Sequence, residues 1–312
     1  MIDISIVVPC YNEEAVIGLF YTETVKVFQA LIDAGKIRLM EFVFVDDGSS
    51  DKTVGIFKEL RKKDDRVHYV SFSRNFGKEP AILAGLNASR GKYVVIMDAD
   101  LQDPPSLIPA MLETVMGGEY DCAGTRRATR KGEPPIRSAF ARLFYYLMSK
   151  ITDVEIVDGA RDFRLMSREY VDAILTLPER NRFSKGIFPW VGFSTKWFSY
   201  DNIERKGGSS KFNFWKLMIY ALDGIIAFSS KPLAAASVLG VILFLASLVF
   251  IGIIIIRYLI WGDPVTGWAS TICIILFCSG LQLLTAGIMG QYLAKSYTEV
   301  KQRPHYIIRE AE

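Results

Sequence analysis

Short unbroken apolar runs recur through the first part of the chain, and each stops abruptly at acids or turn residues. Residues 3–9 form the first such run, closed by Pro9 and followed by Cys10-Tyr11-Asn12-Glu13-Glu14. Glu41 to Asp46 form the second, followed by Asp47-Gly48-Ser49-Ser50-Asp51. Residues 67–72 make a third, and Tyr93-Val94-Val95-Ile96-Met97 a fourth that runs into Asp98-Ala99-Asp100. Runs of this kind, without polar alternation, predict strands buried on both faces, as in parallel sheets. Between them the period lengthens. Val16, Leu19, Phe20, Val27 and Leu31 share one helical face, with Gly35 as the stop and Asn12 as the expected N-cap. Ser49-Ser50-Asp51 is expected to cap a helix over Lys52–Lys63, and a third helix follows Lys78 through about Ser89. Pro104 and Pro105 open a fourth that ends near Gly117-Gly118. Asp121–Thr125 and Phe163–Ser167 read as further strands, and the stretch around Asn181 and Trp190 as loop. Strands alternating with helices predict an α/β domain around a parallel sheet, spanning residues 1–200.

The pattern changes in the last quarter. Pro232 to Ile256 carries no charge, and Trp268 to about Leu293 is a second apolar stretch in which Gln282 is the most polar member. Each is long enough to cross a bilayer. The expectation is a transmembrane hairpin over 231–294, a basic loop with a juxtamembrane amphipathic helix over 201–230, and a cytosolic tail over 295–312. Lys231 precedes the hairpin, and Lys295, Lys301, Arg303 and Arg309 follow it, while the turn between the spans holds Arg257 balanced by Asp263. Excess positive charge marks the cytoplasmic side, so both termini are expected in the cytoplasm of a cell-membrane protein. Two segments have apolar residues at helical spacing beside basic ones: 137–151, with Phe140, Leu143, Phe144, Leu147 and Met148, and 212–228. The first is open to two readings, a core helix or a helix lying on the membrane surface.

Composition narrows the class. Half of the 312 residues are hydrophobic, an excess concentrated in the two spans. The formal charge of +3 gives no argument for a nucleic-acid partner. Cys10, Cys122, Cys273 and Cys278 show no metal-ligand spacing and read as reduced packing residues. Met1-Ile2-Asp3-Ile4 enters a strand directly, so no secretory signal is expected.

Candidate chemistry gathers at the strand ends. Asp98 and Asp100 lie at i and i+2, on one face of an extended chain. Two carboxylates together call for a cation, and a divalent ion with oxygen ligands is one answer. A solvated turn in which Asp100 caps a helix is the other. Tyr11/Glu13, Asp46/Asp47 and Asp98/Asp100 all end strands of one parallel sheet, so they lie on one edge, where open α/β sheets bind ligands. G-x-G-x-x-G and P-loop patterns are absent from the sequence. Arg126–Lys131 belong to a basic loop, and Arg205-Lys206-Gly207-Gly208-Ser209-Ser210-Lys211 reads as either a phosphate-gripping loop or a solvated linker. A phosphatase would want Thr or Val after its second aspartate, where this chain has Leu101-Gln102. A non-catalytic membrane protein that only binds its ligand stands as the alternative of a different class.

Taken in order, Val8-Pro9-Cys10-Tyr11-Asn12-Glu13, Val45-Asp46-Asp47-Gly48-Ser49, Ser73-Arg74-Asn75-Phe76-Gly77-Lys78, Met97-Asp98-Ala99-Asp100-Leu101-Gln102-Asp103-Pro104-Pro105, Asp162-Phe163-Arg164-Leu165 and Ser209-Ser210-Lys211-Phe212, followed by two spans, resemble a family. It is the family 2 glycosyltransferases of the polyisoprenyl-phosphate type, which includes bactoprenol glucosyltransferases and relatives of dolichyl-phosphate mannose synthase. The resemblance implies a GT-A fold and inverting transfer of a sugar to polyprenyl phosphate, such as undecaprenyl phosphate, at the cytosolic membrane face. The donor it favours is UDP-glucose, with UDP-GlcNAc and GDP-mannose as alternatives. It implies Pro9, Tyr11, Glu13, Asp46, Lys78 and Asp98 around the nucleotide sugar, and Mg²⁺ or Mn²⁺ on Asp98 and Asp100. It also implies catalytic roles for Asp100 and Asp162, acceptor or phosphate contacts from Arg126, Arg205 and Lys211, and a homo-oligomer, in some members a tetramer. The chain lacks the Gln-X-X-Arg-Trp motif of processive polysaccharide synthases, so a polymerase is not expected.

Overall fold

The computed structural model describes residues 3–127, 157–200, 224–261 and 267–312. The chain divides into two units, one of Met1–Gly224 with Arg303–Glu312 and one of Ile225–Gln302. Among the described residues, the first is built on an eight-stranded sheet.

Strands β1 (Ile4–Cys10), β2 (Met40–Asp46), β3 (Val67–Phe72) and β4 (Tyr93–Ile96) run parallel, with β1 paired between β2 and β4. The four predicted buried runs are all here. All of β2 is buried, as is nearly all of β1, which explains why neither alternates. Helices α1 (Ile17–Asp33), α2 (Thr53–Lys63) and α3 (Lys78–Ala88) make the crossovers. A core of Phe20, Phe28, Phe42, Phe44 and Phe57 fills one side of the sheet, with Phe42 and Phe44 stacked at 5.6 Å. On α3, a Cβ at Gly85 would strike Val7, so the glycine lets the helix lie close on the strands. A short 3₁₀ turn at Pro105–Leu107 leads into α4 (Ile108–Met116).

The rest of the sheet is not parallel throughout. β5 (Cys122–Arg127) does not pair with β4. Between them lies β6 (Ala160–Ser167), antiparallel to both. Two short helices, α5 (Arg168–Leu175) and α6 (Ser184–Trp190), precede the edge strand β7 (Thr195–Tyr200), which pairs parallel to β5. The expected loop around 181–193 therefore contains a helix and is followed by a strand.

The second unit holds α7 (Lys231–Trp261) and α8 (Trp268–Val300). Two segments are long and apolar enough to span a membrane, Lys231–Ile256 at mean hydropathy 3.1 and Ile274–Val300 at 1.6. Neither buries its apolar residues within the protein, with Phe250, Leu283 and Leu293 all largely exposed. Surface of that kind marks contact with lipid or partner rather than water. Helix α8 continues about two turns past Leu293. The final residues are not a plain tail. Strand β8 (Ile308–Ala311) returns to the first unit and pairs antiparallel with β3 at the sheet edge. The segment 137–151 lies outside the described residues, as do residues 201–223, with Arg205 and Lys211, of the basic loop and amphipathic helix expected over 201–230.

Candidate active site

Two loops at the carboxyl ends of β1 and β2 are tied together before any ligand is considered. Asn12 takes a left-handed conformation with φ 55°, and its side-chain oxygen accepts a hydrogen bond from the Ser50 amide at 2.9 Å. It is a bridge between loops, not the N-cap of α1, which begins five residues later without a side-chain cap. The Asn12 amide donates to Ser49 Oγ at 2.9 Å and the Glu13 amide to Thr53 Oγ1 at 3.0 Å. Asp51 accepts from the Thr53 amide at 3.0 Å and so finishes the start of α2. Tyr11 is exposed beside these bonds, and Pro9 stands opposite Val45 in the sheet.

Asp46 and Asp47 are both buried, with different tasks. Asp46 accepts from Ser71 Oγ at 2.7 Å and from the Ser49 amide at 3.0 Å, which fixes its carboxylate at the floor of the loop. Asp47 reaches the β3–α3 loop and accepts the Phe76 amide at 2.6 Å and the Gly77 amide at 2.9 Å. Burial pushes its carboxyl above the ordinary aspartate value, against the pull of those two amides. Gly48, at φ +68°, makes the approach possible, because a Cβ there would collide with the Arg74 backbone. The loop that begins α3 is thereby held from β2.

That loop presents Lys78. Its ammonium lies 2.7 Å from Asp98 Oδ1, 2.9 Å from Asp98 Oδ2 and 2.6 Å from Asp162 Oδ2. Register explains the meeting. Strand β4 pairs Tyr93 with Ser167 and Ile96 with Arg164, so Asp98 leaves the ladder two residues past its last pair and Asp162 enters it two residues before, on the same end. Like charges near each other repel, and the lysine between them removes the conflict. Surrounding protein displaces water from the Lys78 ammonium and disfavours its charge, although 43% of the side chain stays exposed; the carboxylates of Asp162 and Asp98 outweigh that and raise the ammonium well above its usual range. Burial likewise would raise Asp162. Lys78 and Lys185 outweigh it and hold that carboxyl well below the ordinary range.

Asp100 is buried, and its Oδ1 accepts the Gln102 amide at 3.1 Å. Next to it Asp103, also buried, accepts from Arg161 Nε at 3.2 Å and from the Tyr200 hydroxyl. Arg161 and Arg127 both reach toward Gln102 Oε1, at 3.4 and 3.5 Å. Arg164 is buried two residues beyond Asp162 and stacks on Phe188 at 3.5 Å. Arg126 donates from Nε to Ser199 Oγ at 3.0 Å, at the far end of β5. The structure thus gathers Lys78, Asp98 and Asp162, places Asp100 two residues from Asp98, and holds Asp46 by a separate network. It gives partners to Asp103, Arg161 and Arg164, which stand in or beside the motifs without an assigned role, and adds Lys185 and Tyr200, which the sequence reading did not single out. No local signal marks Lys185 or Tyr200, because they arrive from α6 and β7.

The donor set suits a hard divalent ion that also holds phosphates. The Asp98 and Asp100 carboxylates are oxygen donors of the hard type that such ions prefer. Among the described residues no cluster of three or more acidic, histidine or cysteine side chains could hold a metal alone. Sites of that kind use one or two carboxylates and complete the shell from substrate phosphates and water.

Residues 5–175 match the model of Glycosyl transferase family 2. The chain is 44% identical to the SfII prophage-derived bactoprenol glucosyl transferase of Shigella flexneri, covering 99% of this chain and 98% of that one. It is 40% identical to the prophage bactoprenol glucosyl transferase homolog of Escherichia coli K12, covering 98% of each. A solved structure of glucosyl-3-phosphoglycerate synthase from Mycobacterium tuberculosis, with Mn²⁺, UDP-glucose and phosphoglyceric acid, aligns over 72% of this chain and 77% of its own. At 22% identity and a TM-score of 0.44, that likeness is too slight to carry a ligand across. The α/β sheet and the C-terminal pair of membrane-length helices agree with the GT-A arrangement expected from the motifs. By the family match and the full-length identities, the chain belongs to the family 2 glycosyltransferases, in the branch that holds the bactoprenol glucosyl transferases.

Proposed function

We propose that this glycosyltransferase moves a sugar, glucose from UDP-glucose by preference, onto polyprenyl phosphate at the cytosolic face of the cell membrane. The observation that carries the reading is the opposition of Asp98 and Asp162 around Lys78, at the sheet edge where the β1 and β2 loops also end. Of the two full-length relatives named above, one is described as a bactoprenol glucosyl transferase and the other as a homolog of one, which supports glucose and a polyprenyl acceptor.

In this reading Pro9, Tyr11 and Glu13 lie along the nucleoside, and Asp46 shapes the floor beneath the base. Asp98 and Asp100 would hold Mg²⁺ or Mn²⁺. The ion, when bound, supplies Lewis-acid stabilisation of the leaving diphosphate. Lys78 adds positive charge on the same side. Arg126, Arg205 and Lys211 contact the acceptor phosphate. An acceptor phosphate oxygen attacks the anomeric carbon from the face opposite the diphosphate. The carbon–oxygen bond to the diphosphate breaks, nucleoside diphosphate leaves, and the anomeric centre inverts. No proton has to be removed, because a phosphate monoester with a second pKa of about 6 is already largely ionised at neutral pH. Asp162 then orients the sugar or acceptor as a permanent carboxylate rather than acting as a base.

The two long apolar helices support anchorage at the bilayer where the lipid acceptor resides. The excess of Lys and Arg outside the hairpin supports both termini in the cytoplasm. The test is a donor screen with purified chain and undecaprenyl phosphate. UDP-glucose is expected to give the fastest formation of lipid-linked sugar. Faster transfer from UDP-GlcNAc or GDP-mannose would reassign the sugar.

A further inference from the structure

We infer that Lys78 is a built-in counter-cation that occupies Asp98 until a nucleotide diphosphate draws it away, so that divalent-ion binding depends on the donor. The inference rests on the metal reading of Asp98 and Asp100.

Three observations carry it. First, Lys78 engages both oxygens of Asp98, at 2.7 and 2.9 Å, and Asp162 Oδ2 at 2.6 Å. Among the described residues it is the one cation in ion-pair contact with either carboxylate. An ammonium and a divalent ion compete for the same Asp98 oxygens. Second, the repulsion that Lys78 relieves is built into the strand ends of the sheet, since Asp98 lies two residues past the last β4–β6 pair, Asp162 two residues before it, and one ammonium reaches both. A cation is needed there whether or not donor is present. Third, the root of Lys78 is fixed while its head is not. Asp47 holds the Phe76 and Gly77 amides just before it, and Lys78 is the first residue of α3. Its side chain is 43% exposed, so the four-carbon stem has room to swing.

A donor diphosphate brings the negative charge that Lys78 needs as a new partner. The ammonium can then leave Asp98 to the ion while keeping Asp162. Donor and ion thus help each other bind through one lysine, and that coupling is reciprocal.

The test reads Mn²⁺ binding by electron paramagnetic resonance on the full-length chain in detergent, without turnover. The wild type is expected to bind Mn²⁺ weakly alone and much more tightly with UDP. In Lys78→Met, binding without UDP should tighten about tenfold or more, and the UDP-dependent gain should shrink. Lys78→Arg should behave like the wild type, because the charge is kept. Lys78→Gln serves as a second neutral variant if Lys78→Met does not fold. The double variant Lys78→Met with Asp98→Asn should lose the gained binding. Neutral variants that bind Mn²⁺ no more tightly than wild type without UDP would overturn the inference and leave the metal reading standing. Wild-type chain that binds no Mn²⁺ even with UDP would overturn both.

Discussion

The smallest unit of the account is the contact between Lys78, Asp98 and Asp162. Because Lys78 and Lys185 hold the Asp162 carboxyl well below its ordinary range, Asp162 is ionised at every working pH. Its folded value lies below the unfolded one of about 3.9, so its stabilising pairing is intact above that pH and is lost as pH falls through the folded value. A group in that state is a poor proton acceptor. Asp162→Asn should therefore keep transfer within about tenfold of wild type above pH 7.5, against the ~10²–10⁴-fold expected for loss of a general base. The acid limb of the rate profile should stay near the acceptor's second pKa of about 6 in both proteins. A rate above pH 7.5 as low as that of Asp162→Ala would contradict the orienting role. Some of this was legible beforehand. Asp98, Asp100 and Asp162 stand in recognisable motifs, and Asp46 ends an unbroken apolar run. The partnership through Lys78 was not, because it depends on a strand register that no local pattern encodes. Asn12 misled for a related reason: it has the right chemistry for a helix cap but takes φ 55° and bonds to another loop.

At the scale of elements, burial decides what a sequence reveals. Strands β1 to β4 are buried on both faces and announce themselves as apolar runs. Strand β7, Thr-Lys-Trp-Phe-Ser-Tyr, has no fully buried residue, and β8, Ile-Arg-Glu-Ala, is mostly exposed. Their places are set by backbone pairing, which leaves little trace in side-chain pattern. Helix α6 lacks a local cap as well. Its first amide is accepted by the Glu79 carboxylate at 3.0 Å, from the start of α3. The C-terminal strand has a stabilising task. The Tyr69 amide donates to the Glu312 carbonyl at 3.0 Å, the Glu312 amide returns to Tyr69 at 3.1 Å, and the Ser73 amide donates to Ile307 at 2.9 Å. Tyr306 stacks on Phe72 at 4.9 Å, and Phe72 meets Phe76 edge-on in the loop that carries Lys78. Each such hydrogen bond contributes about 1 kcal/mol. Truncation after Arg303 should then lower the melting temperature of the sheet-containing unit by on the order of 5–10 °C. It should also leave the β3 edge open to pairing with other chains. A melting temperature unchanged by the truncation would show that the strand is dispensable.

For the whole molecule, the question is why one chain joins a soluble-donor site to two lipid-length helices. The reaction proposed needs both, since a nucleotide sugar diffuses in water and a polyprenyl phosphate cannot leave the bilayer. The apolar stretches were plain in the sequence because a span must be uncharged for about 20 residues. The return of the chain to the sheet after the second helix was not, since β8 carries charges at Arg309 and Glu310. The most direct measurement is transfer of radiolabelled glucose from UDP-glucose to undecaprenyl phosphate by the full-length protein, followed by organic extraction. The account predicts lipid-extractable label that disappears with chelator, returns with Mg²⁺ or Mn²⁺, and falls at least a hundredfold in Asp98→Asn, in the range seen when a transition-state stabiliser is removed (about 10²–10³). Label that never enters the lipid phase from any nucleotide sugar, or that forms undiminished with chelator present, would contradict it.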